Sequence, residues 1–254
     1  MELPRTPTFS LKGRRALVAG GSSGIGLGAA VALAEAGAHV VIAARRRDVL
    51  FAAEDALQDA GFSVEAWPLD VTDDAALRDC FEEQKPFDII VNSAGLARHS
   101  PAVETETADF DAVMAVNLRA AYFLAQHGAR GMMAAGLAGS IIQISSQMGH
   151  VGGAERAVYS ASKHGLEGMV KSMAIEWGAQ RIRINSVCPT FIRTPLTEVT
   201  FSDPDKVKWV RSKIKLPRVG RIEDIMGAVL FLAGDASQMV TGTSILVDGG
   251  WTAG

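Results

Sequence analysis

The chain has 254 residues, a length at which an α/β fold often forms one large domain, so the sequence predicts a single domain over residues 1–254. Hydrophobic residues make up 48% of the chain, enough for an extended core, and the formal net charge of −3 provides no basic surface for nucleic acid. These values argue against nucleic-acid binding and favour small-molecule partners.

The N-terminal segment, MELPRTPTFSLKGRR, lacks the apolar run of a signal peptide. No later stretch approaches the roughly 18 apolar residues that a membrane span requires. Cys80 and Cys188 are too few and too far apart in sequence to indicate a disulfide framework or a metal cluster, and both are interpreted as reduced thiols. The sequence therefore predicts a soluble, cytoplasmic protein with no membrane partner.

Apolar runs rich in Val and Ile alternate with helical patterns along the chain. The predicted strands are RALVAG, HVVIAA, SVEAWPL, FDIIVNSAG, SIIQISS, RIRINSVCP and SILVDGG. The predicted helices are Gly24–Ala36, Asp48–Ala60, Asp73–Glu83, Thr107–Ala135 and Val158–Trp177. This alternation predicts a Rossmann-like, doubly wound α/β fold, with a parallel sheet of about seven strands and helices on both faces. Pro195–Pro217 interrupts the alternation and is interpreted as a small mobile lid.

A glycine-rich loop, Ala19–Gly26, lies between the first predicted strand and the first predicted helix. Glycines there allow the backbone to approach a pyrophosphate, and the helix N-terminus receives its negative charge. The alternative is a turn without a ligand, but the strand–loop–helix context is the one that the dinucleotide fingerprint requires. The predicted dinucleotide-binding residues of this loop are Gly20, Ser22, Ser23, Gly24, Ile25 and Gly26.

In dinucleotide-binding folds, an acidic residue about 20 positions after the glycines binds the ribose 2′-hydroxyl of NAD. Here that place reads AARRR and offers no carboxylate. Arg45 can instead pair with a 2′-phosphate, and a charged hydrogen bond of about 1.5–3 kcal/mol favours NADP over NAD roughly 10- to 150-fold. NADP(H) is therefore the predicted cofactor and NAD(H) the alternative, while Arg46 and Arg47 are explained by a solvated helix start.

Tyr159 and Lys163 lie four residues apart in VYSASKH and so share one helix face. The ammonium group, together with a positive nicotinamide ring, is expected to lower the Tyr159 pKa from about 10 to near 7. Ser146, at the end of SIIQISS, is predicted to hydrogen-bond the substrate oxygen, with Ser145 as the alternative register. Chance can place a Tyr and a Lys at this spacing, but their position after a central strand favours carbonyl reduction with Tyr159 as the proton donor.

With these motifs, the chain resembles the classical short-chain dehydrogenase/reductase family over essentially its whole length. The family's T-G-x-x-x-G-x-G appears as A-G-G-S-S-G-I-G, with Ala19 in place of Thr, and its N-N-A-G appears as N-S-A-G at residues 92–95. The family's Ser-Tyr-Lys set matches Ser146, Tyr159 and Lys163, and its fourth member, an Asn, falls on Asn117. The family's P-G after the sixth strand is Pro189-Thr190 here.

The resemblance implies that Asn117 belongs to the catalytic set and positions a water in a proton relay, and that Lys163 also holds the nicotinamide ribose. It implies further cofactor contacts from Asp70, Val71, Asn92, Ala94, Gly95, Tyr159, Pro189, Ile192 and Thr194. It also implies a homotetramer or homodimer that packs through the two longest predicted helices. Judged from the residues alone, the preferred interpretation of Asn117 is that it satisfies a neighbouring backbone group. Asp70 could also be an ordinary strand-end or helix-cap carboxylate, which is compatible with a cofactor contact.

The loops expected beside the nicotinamide carry polar residues and few aromatic ones; the candidate substrate residues are Gln147, His150, Arg156 and Arg193. This composition favours a small polar carbonyl compound or secondary alcohol, such as a sugar, polyol or sugar acid. Arg193 is expected to bind a carboxylate, although pairing with Glu198 or Asp205 explains it equally well. The spacing of His99, His150 and His164 is not typical of metal ligands, so no metal is predicted.

Two other functions remain open at this point. A 3-oxoacyl thioester reductase would use Lys206, Lys208 and Arg211 to meet an acidic carrier protein. A non-catalytic nicotinamide-binding sensor would need the glycine-rich loop but neither Ser146 nor Tyr159, so the presence of both residues argues against it. Whether Trp251 contacts a neighbouring subunit or the lid of its own chain is also left open.

Overall fold

The computed structural model describes residues 3–254, the side chain of Leu196 excepted. Its sheet contains β1 (Arg15–Ala19), β2 (His39–Ala44), β3 (Val64–Pro68), β4 (Ile89–Asn92), β5 (Gly139–Ile144), β6 (Ile182–Pro189) and β7 (Ser244–Val247). The order is β3-β2-β1-β4-β5-β6-β7, and each neighbouring pair is parallel. The predicted strands and the doubly wound parallel sheet are therefore confirmed.

Helices cover both faces of the sheet: α1 (Gly24–Glu35), α2 (Arg47–Asp59), α3 (Asp74–Glu83), α4 (Thr107–Met114), α5 (Ala121–Ala134), α6 (Ala157–Trp177), α7 (Glu198–Phe201), α8 (Pro204–Lys213) and α9 (Glu223–Ala233). Alternate strand residues enter two separate cores. In β1, for example, Val18 packs in the core beneath α1 and α9, whereas Leu17 packs in the core beneath α5 and α6. Because both faces are buried, the strands read as continuous apolar runs rather than as alternating ones.

Helix α9 was not predicted from the sequence. Its second half, GAVLFLA, is an almost continuous apolar run, and such a run does not distinguish a helix from a buried strand. The helix packs closely on α1: a Cβ atom added at Gly28 would lie 2.2 Å from Cγ2 of Ile222, directly before α9. A glycine at this position therefore sets the distance between the two helices.

The predicted helix Thr107–Ala135 is not continuous, so this part of the prediction is wrong. A π-helical segment, Ala115–Ala120, separates α4 from α5 and contains Asn117. The segment has no Pro or Gly to signal the irregularity, which explains why the hydrophobic pattern did not reveal it. Single π turns inserted in α-helices occur frequently at functional sites.

The predicted lid, Pro195–Pro217, contains the short helix α7 and the longer α8. Trp251, near the C-terminus, stacks on Phe191 at a centroid distance of 5.7 Å and meets Trp209 of α8 edge-on at 5.2 Å. The C-terminal segment thus packs on the lid of its own chain. None of the helices within residues 3–254 combines the length and the hydrophobicity that crossing a membrane requires.

Candidate active site

A cavity of about 710 Å³ opens at the carboxyl ends of the central strands. The strand order reverses between β1 and β4, and ligands of open α/β sheets bind at this switch point. The cavity is lined by most of the predicted cofactor residues: Gly20, Ser22, Ser23, Gly24, Ile25, Arg45, Asp70, Val71, Ala94, Gly95, Tyr159, Lys163 and Thr194. The fold therefore brings residues from distant parts of the sequence to one site.

The glycine-rich loop leaves a concave space, here called the cradle, that side chains in place of its glycines would obstruct. Gly20 has a φ of +76°, and a Cβ atom there would lie 2.8 Å from the backbone N of Ala94. Gly26 does not line the cavity; a Cβ atom there would lie 2.1 Å from the carbonyl O of Gly20, so this glycine allows α1 to pack on the loop. The geometry fits a pyrophosphate, which requires close approach of backbone N–H groups.

The N-terminus of α1 faces this cradle. Within the described chain, the N-cap residue Ser23 makes no side-chain capping bond, and the first turn contains no acidic residue. In α3, by contrast, the Asp73 carboxylate accepts from the backbone N–H groups of Ala75 and Ala76. The first N–H groups of α1 are therefore available for an anionic ligand, and the helix dipole favours one.

Asp70 and two arginines line the cavity at the carboxyl ends of β2 and β3. The Asp70 carboxylate accepts hydrogen bonds from the backbone N and the hydroxyl of Thr72, at 2.9 and 2.7 Å. Partial burial opposes ionisation, but these bonds and the charge of Arg45 outweigh it and lower the Asp70 pKa. Arg45 is largely exposed, with its guanidinium 3.9 Å from Asp70. Arg46 is exposed at the start of α2, as predicted, and it also lines the cavity, which makes it a second candidate for contact with a 2′-phosphate.

Three other predicted cofactor residues lie outside the cavity lining: Asn92, Pro189 and Ile192. The buried Asn92 donates through Nδ2 to Oε1 of Gln143 at 2.9 Å and accepts from the backbone N of Ala94 at 3.2 Å. It therefore shapes the loop that lines the cavity, while its side chain is directed into the sheet. The motif alone could not distinguish these two roles.

Tyr159 and Lys163 both line the cavity, as the motif implies. The Lys163 ammonium donates to the backbone O of Ile144 at 3.0 Å and lies 5.8 Å from the centroid of the Tyr159 ring. The Ser146 hydroxyl donates to Oε1 of Gln147 at 2.7 Å and accepts from the backbone N of Met148 at 3.1 Å. Strand β5 ends at Ile144, so Ser146 belongs to the following turn. Ser145, the alternative register, lines the cavity, whereas Ser146 does not.

The expected effect of Lys163 on Tyr159 is not found in the protein alone. Burial raises the pKa of Tyr159, and the Ser146 hydroxyl and the Arg156 charge offset this only in part. Burial also lowers the pKa of Lys163 to about 8, although the neighbouring Cys188 and Glu167 raise it. Helical spacing places both side chains on one face, but it does not specify that the Lys163 ammonium turns toward the Ile144 carbonyl.

Asn117 is buried in the π-helical segment, and its side chain is fully bonded. Its Oδ1 accepts from the backbone N of Leu96 at 2.8 Å, and its Nδ2 donates to the Leu96 O at 2.9 Å and to the Ser162 hydroxyl at 3.1 Å. The side chain thus ties the loop after β4 to helix α6.

The candidate substrate residues have different environments. Arg156 lies beside His99, whose ring meets that of Tyr159 edge-on at a centroid distance of 6.0 Å. Burial and the Arg156 charge lower the His99 pKa to about 4, so this imidazole is neutral at pH 7. Arg193 is exposed and stacks on Phe201 of α7, with its guanidinium carbon 4.6 Å from the ring centroid. The substrate role predicted for Arg193 fits Arg156 better.

The other two candidates, Gln147 and His150, follow Ser146. Gln147 is buried and accepts the Ser146 hydrogen bond. His150 turns away from the cavity: its Nε2 lies 3.4 Å from the Cys188 thiol. Trp209 of the lid forms an aromatic cluster with Phe191 and Trp251, which the sequence did not predict as a cluster because its members are distant in the chain. The guanidinium of Arg156 lies 5.6 Å from the Phe191 ring, which joins this cluster to the site.

Comparison with known proteins agrees with this geometry. Residues 19–252 match a family model described as enoyl-(acyl carrier protein) reductase. The chain is 38% identical over 243 residues to L-xylulose reductase from Mesocricetus auratus, covering 96% of this chain and 98% of the relative.

Two solved structures are also similar. One, from Agrobacterium tumefaciens, is assigned as a 2-deoxy-D-gluconate 3-dehydrogenase and contains NADP; it has 40% identity and a TM-score of 0.93, covering 98% of this chain and 100% of the other. The second, gluconate 5-dehydrogenase from Burkholderia cenocepacia with NADP and tartrate, has 35% identity and a TM-score of 0.93, covering 97% and 98%. The chain belongs to the classical short-chain dehydrogenase/reductase family of NAD(P)-dependent oxidoreductases.

Proposed function

We propose that this protein uses NADP(H) to interconvert a secondary alcohol and a ketone on a small sugar, polyol or sugar acid. The observation that carries the proposal is that one cavity is lined both by Tyr159 and Lys163 and by Arg45 and Arg46. Lys163 bonds the end of β5, whereas Arg45 follows β2, three strands away in the sheet. The relatives described above act on sugars or sugar acids, which favours this substrate class over acyl thioesters.

Several residues of the protein would have separate roles in carbonyl reduction. Bound NADPH would supply the hydride to the carbonyl carbon. The Ser146 hydroxyl would hold the carbonyl oxygen, and Tyr159 would donate its proton to that oxygen as negative charge develops there. Lys163 would hold the cofactor ribose and bring positive charge to the site, and the His99–Arg156 pair would orient the rest of the substrate.

A spectrophotometric assay with a panel of carbonyl compounds tests the proposed function. We expect NADPH oxidation with ketoses or keto sugar acids, and NADP reduction with the corresponding alcohols. Activity only with 3-oxoacyl thioesters would contradict the substrate class. Cofactor binding without turnover of any carbonyl compound would contradict the catalytic assignment.

The preference for NADP is expected to depend on Arg46 as well as Arg45. A charged hydrogen bond to a 2′-phosphate contributes about 1.5–3 kcal/mol, so Arg46→Ala should lower kcat/KM for NADPH about 10- to 150-fold and leave that for NADH nearly unchanged. Arg47→Ala is the matched control, because Arg47 is the first residue of α2 and does not line the cavity. Equal losses of kcat/KM with NADPH and NADH would show that Arg46 does not bind the 2′-phosphate.

Arg156 is expected to bind the carboxylate of a sugar-acid substrate. Arg156→Ala should raise KM for a sugar acid about 10- to 150-fold, the effect of losing one charged hydrogen bond, and should raise KM for a neutral ketose much less. Arg193→Ala, which removes the guanidinium stacked on Phe201, is the control and should change neither value greatly. The reverse pattern would return the substrate role to Arg193.

Activity is expected to fall at alkaline pH as Lys163 loses its charge. Since burial lowers the pKa of Lys163 to about 8, the side chain is cationic below that pH and neutral above it. The parameter kcat/KM for NADPH reports the free enzyme and should therefore decline above pH ~8. In Lys163→Arg, whose guanidinium stays charged, this decline should disappear; a decline that persists there would assign it to another group.

The assembly and location are also proposed. A second cavity between α5 and α6 is lined by Leu118, Tyr122, Met133, Gly165 and Met169. Tyr122 and Met133 are exposed, and this apolar face supports the proposal of a homotetramer, or a homodimer, packed through these helices. Light scattering of the purified protein tests the assembly.

The thiols of Cys80 and Cys188 are free, which supports a cytoplasmic location for a single-domain enzyme.

A further inference from the structure

Three side chains from separate parts of the chain meet next to the catalytic residues, outside the lining of the cofactor cavity. They are His150 in the loop after β5, Glu167 in α6 and Cys188 in β6, and their ligand atoms all lie within 4.8 Å of one another. Glu167 and Cys188 are almost completely buried. Because the three residues are far apart in sequence, their spacing gave no sign of a shared site.

Two of the separations between these atoms match those around a zinc ion. Nε2 of His150 lies 3.4 Å from Sγ of Cys188, and Sγ lies 3.4 Å from Oε1 of Glu167. The third separation is longer, since Nε2 of His150 lies 3.9 Å from the carboxylate of Glu167, measured to its other oxygen, Oε2. Zinc binds nitrogen and oxygen at about 2.0–2.2 Å and sulfur at about 2.3 Å, so tetrahedral geometry requires ligand atoms about 3.4–3.6 Å apart. Only small adjustments would be needed to enclose an ion.

Neighbouring hydroxyl groups orient the carboxylate. The Ser186 hydroxyl donates to Oε2 of Glu167 at 2.8 Å, and the Ser244 hydroxyl donates to the same oxygen. This leaves Oε1 directed toward Cys188. Hydrogen bonds that fix a ligating side chain in this way are typical of metal sites and increase their affinity.

A further hydroxyl group lies at the same place. Ser145 is buried and lies against the Cys188 thiol, and its Oγ has no hydrogen bond to any other group among the described residues. Ser145 also lines the cofactor cavity. Its hydroxyl can therefore turn toward a ligand in the cavity or toward an ion beside Cys188.

Without a metal, the cluster can be held by the Cys188 thiol donating to Oε1 of Glu167 and by an Nε2–H group of His150 donating to the thiol sulfur. Zinc would displace both protons, because it binds a thiolate and an unprotonated imidazole nitrogen. Imidazole, thiolate and carboxylate are together the ligand set that zinc accepts.

We propose that His150, Glu167 and Cys188 form a binding site for a divalent ion of the zinc type, with a water or the Ser145 hydroxyl as the fourth ligand. The His150 side chain is 29% exposed, which gives the ion a path from solvent. The site adjoins the catalytic residues, because Glu167 follows Lys163 by one helical turn and His150 ends the turn that begins at Ser146. This proposal departs from the prediction of no metal and does not depend on the substrate.

Titration of the chelator-treated, full-length protein with Co²⁺ tests the proposal. A tetrahedral site with a thiolate ligand should give visible d–d bands and a near-ultraviolet sulfur-to-cobalt charge-transfer band that saturate at one ion per chain and disappear when Zn²⁺ is added. His150→Ala, a change at a partly exposed residue, should weaken binding at least about tenfold. Cys188→Ser should abolish the charge-transfer band.

Cys80→Ser is the matched control, because Cys80 is the other cysteine of the chain and belongs to α3. It should retain the cobalt spectrum and the affinity of the wild type. No cobalt spectrum in the wild type, a charge-transfer band that persists in Cys188→Ser, or one that is lost in Cys80→Ser would each overturn the proposal. Circular dichroism and NADPH binding confirm that each variant is folded, and the His150 variant keeps the test valid if Cys188→Ser does not fold.

Discussion

Tyr159→Phe is expected to reduce kcat by about 10²–10⁴-fold while leaving NADPH binding within a small factor of the wild type, because a positioned proton donor contributes a rate factor of this size. The change removes only the hydroxyl oxygen. The ring would still fill its place in the cavity wall and would still meet His99 edge-on. A loss confined to kcat would therefore identify proton transfer, since a packing defect would also weaken binding.

The chain provides its own control for this experiment. Tyr122 is the only other tyrosine, and it lies exposed on α5, away from the cofactor cavity. Tyr122→Phe should leave kcat and the NADPH affinity unchanged. Single-turnover measurements with saturating NADPH separate the chemical step from product release. If Tyr159→Phe turned over at the wild-type rate, the catalytic assignment of this residue would be wrong.

The raised pKa of Tyr159 favours reduction of a carbonyl over oxidation of an alcohol at neutral pH. Burial favours the neutral phenol, so the protein alone keeps the group in the form that donates a proton during reduction. Oxidation of an alcohol requires the phenolate, which burial disfavours. We therefore expect the oxidative reaction to need a higher pH than the reductive one.

The fold could be predicted from sequence because burial on both faces imposes a simple pattern. Strand residues such as Leu17 and Val18 enter opposite cores, so each strand is apolar throughout, and glycines mark the loop after β1. The failures were of a different kind. Helix α9 has an apolar run that fits either a strand or a helix, and the π-helical segment around Asn117 contains no residue type that disrupts a helix.

The candidate site was predicted less completely than the fold, because motifs specify positions and not the directions of side chains. Asn92 matches a cofactor motif, yet its amide bonds Gln143 inside the sheet. Arg193 stands next to a predicted contact residue, yet it stacks on Phe201. The cluster of His150, Glu167 and Cys188 depends on three elements that only the folded chain brings together. Long side chains and distant partners therefore limit what spacing can predict.

Gly26→Ala is expected to impair both cofactor binding and stability. The added Cβ atom would lie 2.1 Å from the carbonyl O of Gly20 and 2.7 Å from its carbonyl C. These are backbone atoms, so the overlap cannot be relieved by rotating a side chain, and the glycine-rich loop or α1 must shift. Overpacking of this kind costs about 1–3 kcal/mol of the free energy of unfolding. Losing even one charged hydrogen bond to the pyrophosphate, worth about 1.5–3 kcal/mol, would weaken NADPH binding at least about tenfold.

Gly227→Ala separates this local overlap from the general effect of replacing a helical glycine. Gly227 lies within α9, and no heavy atom of the described residues would lie within 4 Å of a Cβ atom added there. Alanine should raise the free energy of unfolding by about 0.5–1 kcal/mol, because it favours the helix over glycine. Urea unfolding and fluorescence titration with NADPH measure both quantities for both variants. If Gly26→Ala bound NADPH as tightly as the wild type, the loop would not need the close contact between Gly20 and α1 in order to hold a pyrophosphate.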